Sequence, residues 1–277
     1  MKNLLLRTLT GLVYVTVIIA GITVSSYSFL VLFSTISALC LWEFYHLIQT
    51  QKQTKINLWY NSLGGSLLFV SAWLYVAGIV SPVIFLSYLI YIALVFVMEL
   101  YKKQPDPIMH SAYIFLGQCY IALPLALLNR LAFRAGEGGE NQYSWTFILA
   151  LFVFIWINDT GAYLIGSQFG KHRLFERISP KKSWEGFFGG LFFAIVSSLV
   201  FARFEPEIPY YHWAGLAIVI AMFGTWGDLI ESLIKRTLGV KDSGKTLPGH
   251  GGFLDRFDSL LLAIYAMLFY VELFIRN

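Results

Sequence analysis

Long apolar segments recur along the whole of this chain, and they restrict its fold more than any other feature. A helix needs about 20 mostly apolar residues to cross the hydrocarbon core of a bilayer, because each residue adds about 1.5 Å along the helix axis. Of the 277 residues, 57% are hydrophobic and 13% are charged, which is too apolar for a soluble domain of this length. The sequence therefore predicts an all-α, polytopic integral membrane protein.

Nine segments satisfy this length requirement, and short polar connections separate them. The predicted spans are 4–24, 27–48, 59–80, 82–101, 111–128, 144–166, 185–202, 210–230 and 258–275. The first follows a basic start that resembles a secretory signal, but no A-x-A cleavage site follows, so we expect a retained span. We predict an N-terminal region of five spans, 1–130, and a C-terminal catalytic region of four spans with two cytoplasmic loops, 131–277, which form one continuous membrane unit.

The basic residues are distributed unevenly between the two predicted sides of the membrane. Short cytoplasmic loops usually carry the excess of Lys and Arg. With the N-terminus in the cytoplasm, nine spans leave only four of the 20 Lys and Arg residues outside, namely Arg130, Arg134, Arg203 and Arg276. We therefore predict a cytoplasmic N-terminus and an external C-terminus. The compact chain shows no targeting extension, which favours a bacterial inner membrane over an organellar or endoplasmic-reticulum membrane.

Acidic residues interrupt three of the apolar segments towards the predicted cytoplasmic side. A charge at the centre of a membrane helix costs about 2.5–3.5 kcal/mol, so each needs a reason. Asp159 lies in the sixth span, Asp228 and Glu231 end the eighth, and Asp255 and Asp258 begin the ninth. Residues three apart share a face if their segment is helical, so each of the two pairs can offer oxygens to one hard cation. Taken singly these residues could be helix caps, but their convergence on one side favours a site.

Two other acidic residues and the two cysteines have simpler interpretations. Glu43 and Glu99 lie near the cytoplasmic ends of the second and fourth spans, where snorkelling or interhelical pairing explains them. Cys40 and Cys119 lie in apolar runs with no CxxC spacing and no nearby His. We expect packing thiols there, and neither a disulfide nor a zinc site.

Two predicted cytoplasmic loops mix Lys and Arg with Gly, Ser and Pro. They read GKHRLFERISPKKSWEG after the sixth span and ESLIKRTLGVKDSGKTLPGHGGFLDRFD after the eighth. Glycine lets the backbone approach a phosphate closely, and Lys or Arg supplies the opposite charge. Neither loop has the GxxxxGK[ST] spacing, which excludes a Walker-type site. The alternative is a pair of positive-inside loops that touch anionic lipid headgroups.

The second loop and its surroundings resemble the phosphatidate cytidylyltransferases, also called CDP-diacylglycerol synthases. The signature comprises Ser232, Lys235-Arg236, Lys241-Asp242, Gly244, Leu247-Pro248, His250-Gly251-Gly252 and Asp255-Arg256-Phe257-Asp258. Upstream, the segments NDTGAY (158–163), GKH (170–172), SPKKSWEG (179–186) and GDLIES (227–232) resemble the same family. The resemblance is specific from about 155 to 260, and before that it concerns only size and hydropathy.

The resemblance implies that CTP and phosphatidic acid react to give CDP-diacylglycerol and pyrophosphate for phospholipid biosynthesis. It also implies a homodimer among membrane lipids, a Mg²⁺-dependent site facing the cytoplasm, and K⁺ as a second ion. Nucleic acid is not an expected partner. Two alternatives remain: a CTP-dependent lipid kinase of the polyprenol or dolichol type, and a cation-coupled transporter. The acids lie near one face of the membrane and the Gly/Pro breaks do not recur symmetrically in the two halves, which disfavours the transporter.

The matching motif positions give a candidate set of site residues. The implied metal ligands are Asp228, Asp255, Asp258 and Asp159. The implied catalytic residues are Asp228, Asp255, Asp258, Lys235, Arg236 and His250, although a histidine such as His250 would by itself more often be structural. The implied substrate-binding residues are Asn158, Asp159, Lys171, Ser179, Lys181, Lys182, Lys241, Asp242, Lys245 and Arg256.

Overall fold

A computed structural model describes residues 2–102, 105–136, 139–244 and 251–276, with residues 2–7 described by their backbone alone. Its helices are α1 Lys2–Thr23, α2 Ser26–Lys52, α3 Leu58–Val76, α4 Phe85–Tyr101, α5 Pro107–Gly117, α6 Leu123–Ala132, α7 Thr146–Phe169, α8 Trp184–Phe204, α9 Tyr210–Thr237 and α10 Asp258–Phe274. A π-helical turn, Gln118–Ala122, joins α5 to α6, and short 3-10 turns occupy Pro82–Ile84 and Leu254–Arg256.

Helices occupy the positions of all the predicted spans, which confirms the all-α class. The predicted span 111–128 corresponds to the continuous run from α5 through the π turn to α6. In the part of the chain that the structure describes, six helical segments are long and apolar enough to cross a membrane: Ser26–Lys52, Pro82–Tyr101, Pro107–Ala132, Thr146–Phe169, Trp184–Phe204 and Tyr210–Thr237. The count of nine spans and the cytoplasmic N-terminus stay predictions.

The chain divides into two compact units. The first unit comprises Met1–Trp145 and Leu238–Arg256, and the second comprises Thr146–Thr237 and Phe257–Asn277. The chain therefore leaves the first unit after Trp145 and returns to it for the segment that carries most of the signature. The proposed regions 1–130 and 131–277, and their union in one membrane unit, stay predictions.

In the first unit, α2 packs against α3, and α3 packs against α6. A buried polar network joins the π turn to α2, α3 and α4. Gln118 Nε2 lies within hydrogen-bond distance of three acceptors, the hydroxyls of Tyr45 and Tyr91, both at 3.0 Å, and the carbonyl of Asn61 at 2.8 Å, and its two hydrogens are shared among them. Its Oε1 accepts from the Tyr88 hydroxyl at 3.1 Å. Because the amide has partners on both of its ends, it can be buried without the cost of an unpaired polar group.

In the second unit, α7 packs closely along α8, and α9 packs against α8 and α10. Glycines allow the close approach of α7 and α8. A Cβ added to Gly161 would lie 3.1 Å from Gly190 Cα, and one added to Gly166 would lie 3.3 Å from Gly186 Cα. Such small-residue contacts are typical of packed membrane helices, since they let backbones meet. The contact brings the polar end of α7 next to the start of α8.

Two short antiparallel ribbons join helices where the sequence predicted only loops. Strand β1, Phe133–Ala135, pairs with β2, Asn141–Tyr143, and β3, Arg173–Phe175, pairs with β4, Ser179–Ser183. These polar strands lack the alternation of apolar residues that usually signals a strand. The second ribbon leads directly into α8, whose N-cap Ser183 accepts a hydrogen bond from Gly186 N at 3.1 Å. The first basic loop is therefore an ordered ribbon.

Candidate functional site

A cavity of about 530 Å³ opens in the second unit, between the polar half of α7, the β3–β4 ribbon, the start of α8 and the middle of α9. Cavities of this size suit small organic ligands. Its polar lining comes from three separate segments of the chain. It includes Asn158, Asp159, Arg173, Lys181, Lys182 and Asp228. Five of these six were predicted from the sequence as site residues, and Arg173 was not.

Asp228 lies on the cavity wall and is paired with a lysine from the ribbon. Its Oδ2 forms an ion pair with the ammonium of Lys182, and its Oδ1 accepts from the Ser232 hydroxyl at 3.3 Å. Glu231, one turn along α9, is buried and forms an ion pair with Lys235. Each of these two carboxylates thus faces a different lysine, and their joint binding of one cation stays a prediction.

Asp258 begins α10 and lies close to the carboxylates of Asp159 and Asp228, which with it are called the acidic wall. Its Oδ1 accepts from the adjacent Ser259 N at 2.6 Å, and Phe257 stands at the N-cap position of α10 without a side-chain capping bond. The backbone oxygen of Asp258 lies 2.6 Å from the position that a Cβ on Gly227 would take, so α9 and α10 approach closely here. Asp159, Asp228 and Asp258 are near enough for their charges to interact. Gathering like charges is costly, and a cation or cationic side chains must offset it.

Asn158 lines the cavity and also carries a buried polar atom beside α8. The residue is 3% exposed, and its Oδ1 has no hydrogen-bond partner among the described residues. The backbone of α8 leaves room for it, since a Cβ added to Gly190 would lie 2.7 Å from that oxygen. A buried amide oxygen without a partner is uncommon in native proteins and suits a site that receives a donor or a cation from a ligand.

The acidic wall can be tested for its fit to Mg²⁺. Within the described ranges, no three His, Cys, Asp or Glu side chains converge closely enough to hold a metal ion by themselves. Mg²⁺ at nucleotide sites commonly takes only one or two carboxylates, and substrate phosphates and water complete its shell. The residues present fit that incomplete type of site, with Asp228 and Asp258 as carboxylates and Asn158 as an amide oxygen, and they do not fit a closed, all-protein site.

The turn before the ribbon is anchored by Glu185 in the first turn of α8. Its carboxylate accepts from the backbone nitrogens of Lys171 and His172, both at 3.2 Å, and lies 2.6 Å from His172 Nδ1. Lys171 is exposed, and neither it nor Ser179 is among the described side chains that line the cavity. Glu185 was not predicted as a site residue, although it lies within the SPKKSWEG motif.

The part of the signature that follows α9 lies in Leu238–Arg256, here called the signature segment, and belongs to the first unit. There Asp255 accepts from Ser243 N at 3.2 Å and from Gly252 N at 2.8 Å. Asp255 lies in the 3-10 turn and Asp258 begins α10, so the two do not share one continuous helix face. The four predicted metal ligands are thus divided, with Asp255 in the first unit and the other three in the second.

The remaining predicted site residues occupy varied positions. Lys235 is buried and paired, as described above, and Arg236 is exposed on the same helix. Lys241, Asp242 and Arg256 are exposed in the first unit. Lys245 and His250 lie outside the described residues, so their predicted roles have no structural description.

The two acidic residues that were excluded from the site differ from each other in the structure. Glu99 pairs with Lys102 at 2.9 Å and with His110 at 2.8 Å, in agreement with the interpretation as a pairing residue. Glu43 instead contacts the signature segment, through Ser243 Oγ and two backbone amides. The signal that could have indicated this role is an acidic residue inside an apolar span.

Comparison with known proteins identifies a family along most of the chain and relatives along about half of it. A family model described as "Cytidylyltransferase family" matches residues 5–274. The phosphatidate cytidylyltransferase of Staphylococcus aureus strain COL is 47% identical over 119 residues, which are 43% of this chain and 46% of that protein. The protein of the same name from Bacillus subtilis strain 168 is 44% identical over 135 residues, 48% of this chain and 50% of the relative. The matched stretch therefore spans about half the length of these curated relatives.

Proposed function

The chain belongs to the cytidylyltransferase family, and we propose that it transfers the cytidylyl group of CTP to phosphatidic acid, with CDP-diacylglycerol and pyrophosphate as products. Relatives named phosphatidate cytidylyltransferase support this substrate pair. Apolar helices support a membrane-embedded enzyme, which suits a lipid substrate whose tails remain between helices while its headgroup reaches the interface.

The observation that carries the proposal is the meeting of lysines and carboxylates around one cavity. Lys181 and Lys182 come from β4, Asp159 comes from α7 and Asp228 comes from α9. A nucleoside triphosphate needs cationic groups for its phosphates, and its usual divalent partner needs carboxylates. An isolated structural ion pair would need only Lys182 and Asp228, so the additional groups favour a substrate site.

The proposed chemistry requires no covalent enzyme intermediate. The phosphate of phosphatidic acid is a monoester that is ionised at pH 7 and can itself act as nucleophile. One of its oxygens forms a bond to the α-phosphorus of CTP, while the bond from that phosphorus to the oxygen bridging to the β-phosphorus breaks. Pyrophosphate takes the bonding electrons and leaves. The protein's task is to hold the two substrates in line and to stabilise their negative charge.

The described residues can perform this task by position and charge. Lys181 is exposed beside the cavity, and no described residue forms an ion pair with it, so its ammonium is available to a phosphate. Lys182 can exchange its contact with Asp228 for a phosphate oxygen. Asn158 Oδ1 can accept from a ligand donor or contact a cation. Each contact helps to orient the substrates before reaction, which lowers the entropic part of the barrier.

The proposal includes Mg²⁺, held by Asp228 and Asp258 with Asp159 beside them and with Asp255 as a further predicted ligand. When bound, this ion would neutralise phosphate charge and polarise the reacting phosphoryl group. K⁺ as a second ion, the homodimer, the bacterial inner membrane and the cytoplasmic position of the site are retained from the resemblance as parts of the same proposal.

The experiment that tests the proposal follows two labels through one reaction. Detergent-purified protein is incubated with phosphatidic acid, Mg²⁺ and CTP labelled at either the α- or the γ-phosphate. We expect α-label in the lipid phase and γ-label in pyrophosphate, with neither product when phosphatidic acid is omitted. Transfer of γ-label to a polyprenol or other lipid alcohol would support the kinase instead. Failure of folded protein to transfer α-label would contradict the proposal.

A further inference from the structure

Glu43 of α2 is buried in the first unit and reaches the signature segment far along the chain. It is 5% exposed. Its Oε1 accepts from Ser243 Oγ and from Leu254 N, the latter at 3.0 Å, and its Oε2 accepts from Phe253 N at 2.8 Å. A carboxylate inside an apolar helix that is held by three donors from one distant segment is unlike a snorkelling side chain, which would extend towards water.

Two glycines of the signature segment lie directly beside the Glu43 carboxylate. A Cβ added to Gly244 would lie 2.7 Å from Glu43 Oε2, and a Cβ added to Gly252 would clash with Glu43 Oε1 and with Ser243 Oγ. The sequence suggested that glycines in this loop let the backbone approach a phosphate. At these two positions the close neighbour is the Glu43 carboxylate, so the absence of a side chain lets the segment close around it.

Asp255 also holds the signature segment together, through hydrogen bonds within the segment itself. By accepting from Ser243 N and Gly252 N, its carboxylate joins the two arms of the segment, before residue 245 and after residue 250. Ser243 therefore meets two carboxylates, with its backbone nitrogen on Asp255 and its hydroxyl on Glu43. The first carboxylate is part of the signature, whereas the second comes from a helix about 200 residues earlier.

We propose that Glu43 is a positioning residue for the described parts of the signature segment and that it holds Lys241, Asp242, Asp255 and Arg256 in the arrangement on which the affinity for CTP depends. The proposal rests on the proposed function for the identity of that substrate. Its physical basis is that fixed donors and charges cost little reorganisation during a reaction, whereas a loose segment must be ordered at each turnover. Glu43 acts through this segment and is not proposed to touch substrate.

Hydrogen exchange measures the positioning contact directly. In Glu43→Gln one of the two acceptor oxygens becomes an amide group, and in Glu43→Ala both acceptors are lost. We expect the amides of Phe253 and Leu254 to exchange at least about tenfold faster in Glu43→Ala, with a smaller increase in Glu43→Gln. The matched control is Glu99→Gln, because Glu99 is also buried in the first unit but pairs with Lys102 and His110. We expect exchange at 253–254 in this control to match the wild type.

Steady-state kinetics separates positioning from a loss of folded protein. Loss of folded enzyme lowers the apparent kcat and leaves KM unchanged, whereas a displaced binding segment raises KM. We expect KM for CTP to rise at least about fivefold in Glu43→Gln and further in Glu43→Ala, and to change less than about twofold in Glu99→Gln. If Glu43→Ala does not fold, Glu43→Gln supplies the decisive comparison.

Unchanged exchange at Phe253 and Leu254 in the Glu43 variants would overturn the positioning contact. An unchanged KM for CTP beside a reduced kcat would overturn the positioning role and leave Glu43 as a stabilising residue. Absence of α-label transfer by the wild-type protein would instead overturn the proposed function, and the exchange measurement would still decide whether Glu43 holds the segment.

Discussion

Asp255 and Asp258 are three residues apart, and their carboxylates meet different partners. The Asp255 carboxylate accepts from Ser243 N and Gly252 N. The Asp258 carboxylate accepts from the adjacent Ser259 N and lies near those of Asp159 and Asp228. An ionised carboxylate offers about four acceptor positions. Each carboxylate therefore keeps acceptor positions for a cation, so these local contacts do not exclude a metal-binding role.

Replacement of each aspartate by asparagine separates backbone hydrogen bonding from metal binding. The amide oxygen of Asn can accept backbone hydrogen bonds as Asp does, but Asn lacks the charge that a hard cation needs. We expect Asp255→Asn and Asp258→Asn to insert normally and to lose at least about a hundredfold in cytidylyl transfer, the scale of a lost electrostatic stabiliser. Glu99→Gln is the control and should change turnover little. Near-normal activity of both Asn variants at saturating Mg²⁺ would remove these residues from the proposed site.

The lysines of β4 supply a second test at the residue scale. If Lys181 and Lys182 bind phosphate, their joint replacement by Gln should lower kcat/KM for CTP or phosphatidic acid by a factor equivalent to about 1–3 kcal/mol, the range for a hydrogen bond to a charged group. Membrane insertion should remain normal. Arg177→Gln, on the exposed turn of the same ribbon, is the matched control. Unchanged kinetics in the double variant would indicate that the lysines only contact lipid headgroups.

The sequence identified some site residues better than others, for a physical reason. Asp159, Lys181, Lys182 and Asp228 were predicted because each lies in a recognisable motif, and the structure brings them to one cavity. For Glu43 the sequence shows an acidic residue inside an apolar span, but its partner lies about 200 residues away and no local pattern identifies it.

Among the elements, the positions of the helices could be predicted from the lengths of the apolar segments, whereas the β3–β4 ribbon could not. The free energy that places a membrane helix comes largely from the transfer of apolar side chains into lipid, which can be read from composition. The β3–β4 ribbon is stabilised by backbone pairing and by its junction with the capped start of α8, and neither depends on an apolar alternation. The return of Leu238–Arg256 to the first unit depends likewise on long-range contacts.

The contact between α7 and α8 predicts a stability effect at glycine. In Gly190→Ala the new methyl group would lie 2.7 Å from Asn158 Oδ1, so the helices or the amide must shift, and we expect a loss of about 1–3 kcal/mol. Gly224→Ala is the control, since its methyl group would have no atom nearer than 3.7 Å. Thermal unfolding in detergent should show a lower midpoint for Gly190→Ala alone. Equal midpoints would contradict the close packing described for these helices.

At the scale of the whole molecule, the predicted topology places the β3–β4 turn in the cytoplasm and the β1–β2 ribbon outside. Single cysteines at Glu176 and Glu140, both exposed, can test this in a background that lacks Cys40 and Cys119. A membrane-impermeant thiol reagent applied to intact cells should modify position 140 and spare position 176. Permeabilised cells should show labelling at both positions. Labelling of 176 alone in intact cells would reverse the orientation.

The central claim, that the chain joins CTP to phosphatidic acid at the acidic cavity, is tested most directly by the stoichiometry of the products. Purified wild-type protein and Asp228→Asn are incubated with CTP, phosphatidic acid and Mg²⁺, and lipid-linked cytidine, pyrophosphate and free CDP are all quantified. We predict one pyrophosphate for each lipid-linked cytidine and no CDP from the wild type, with both products reduced at least about a hundredfold in Asp228→Asn. Release of CDP without lipid-linked cytidine, or full activity in the variant, would contradict the claim.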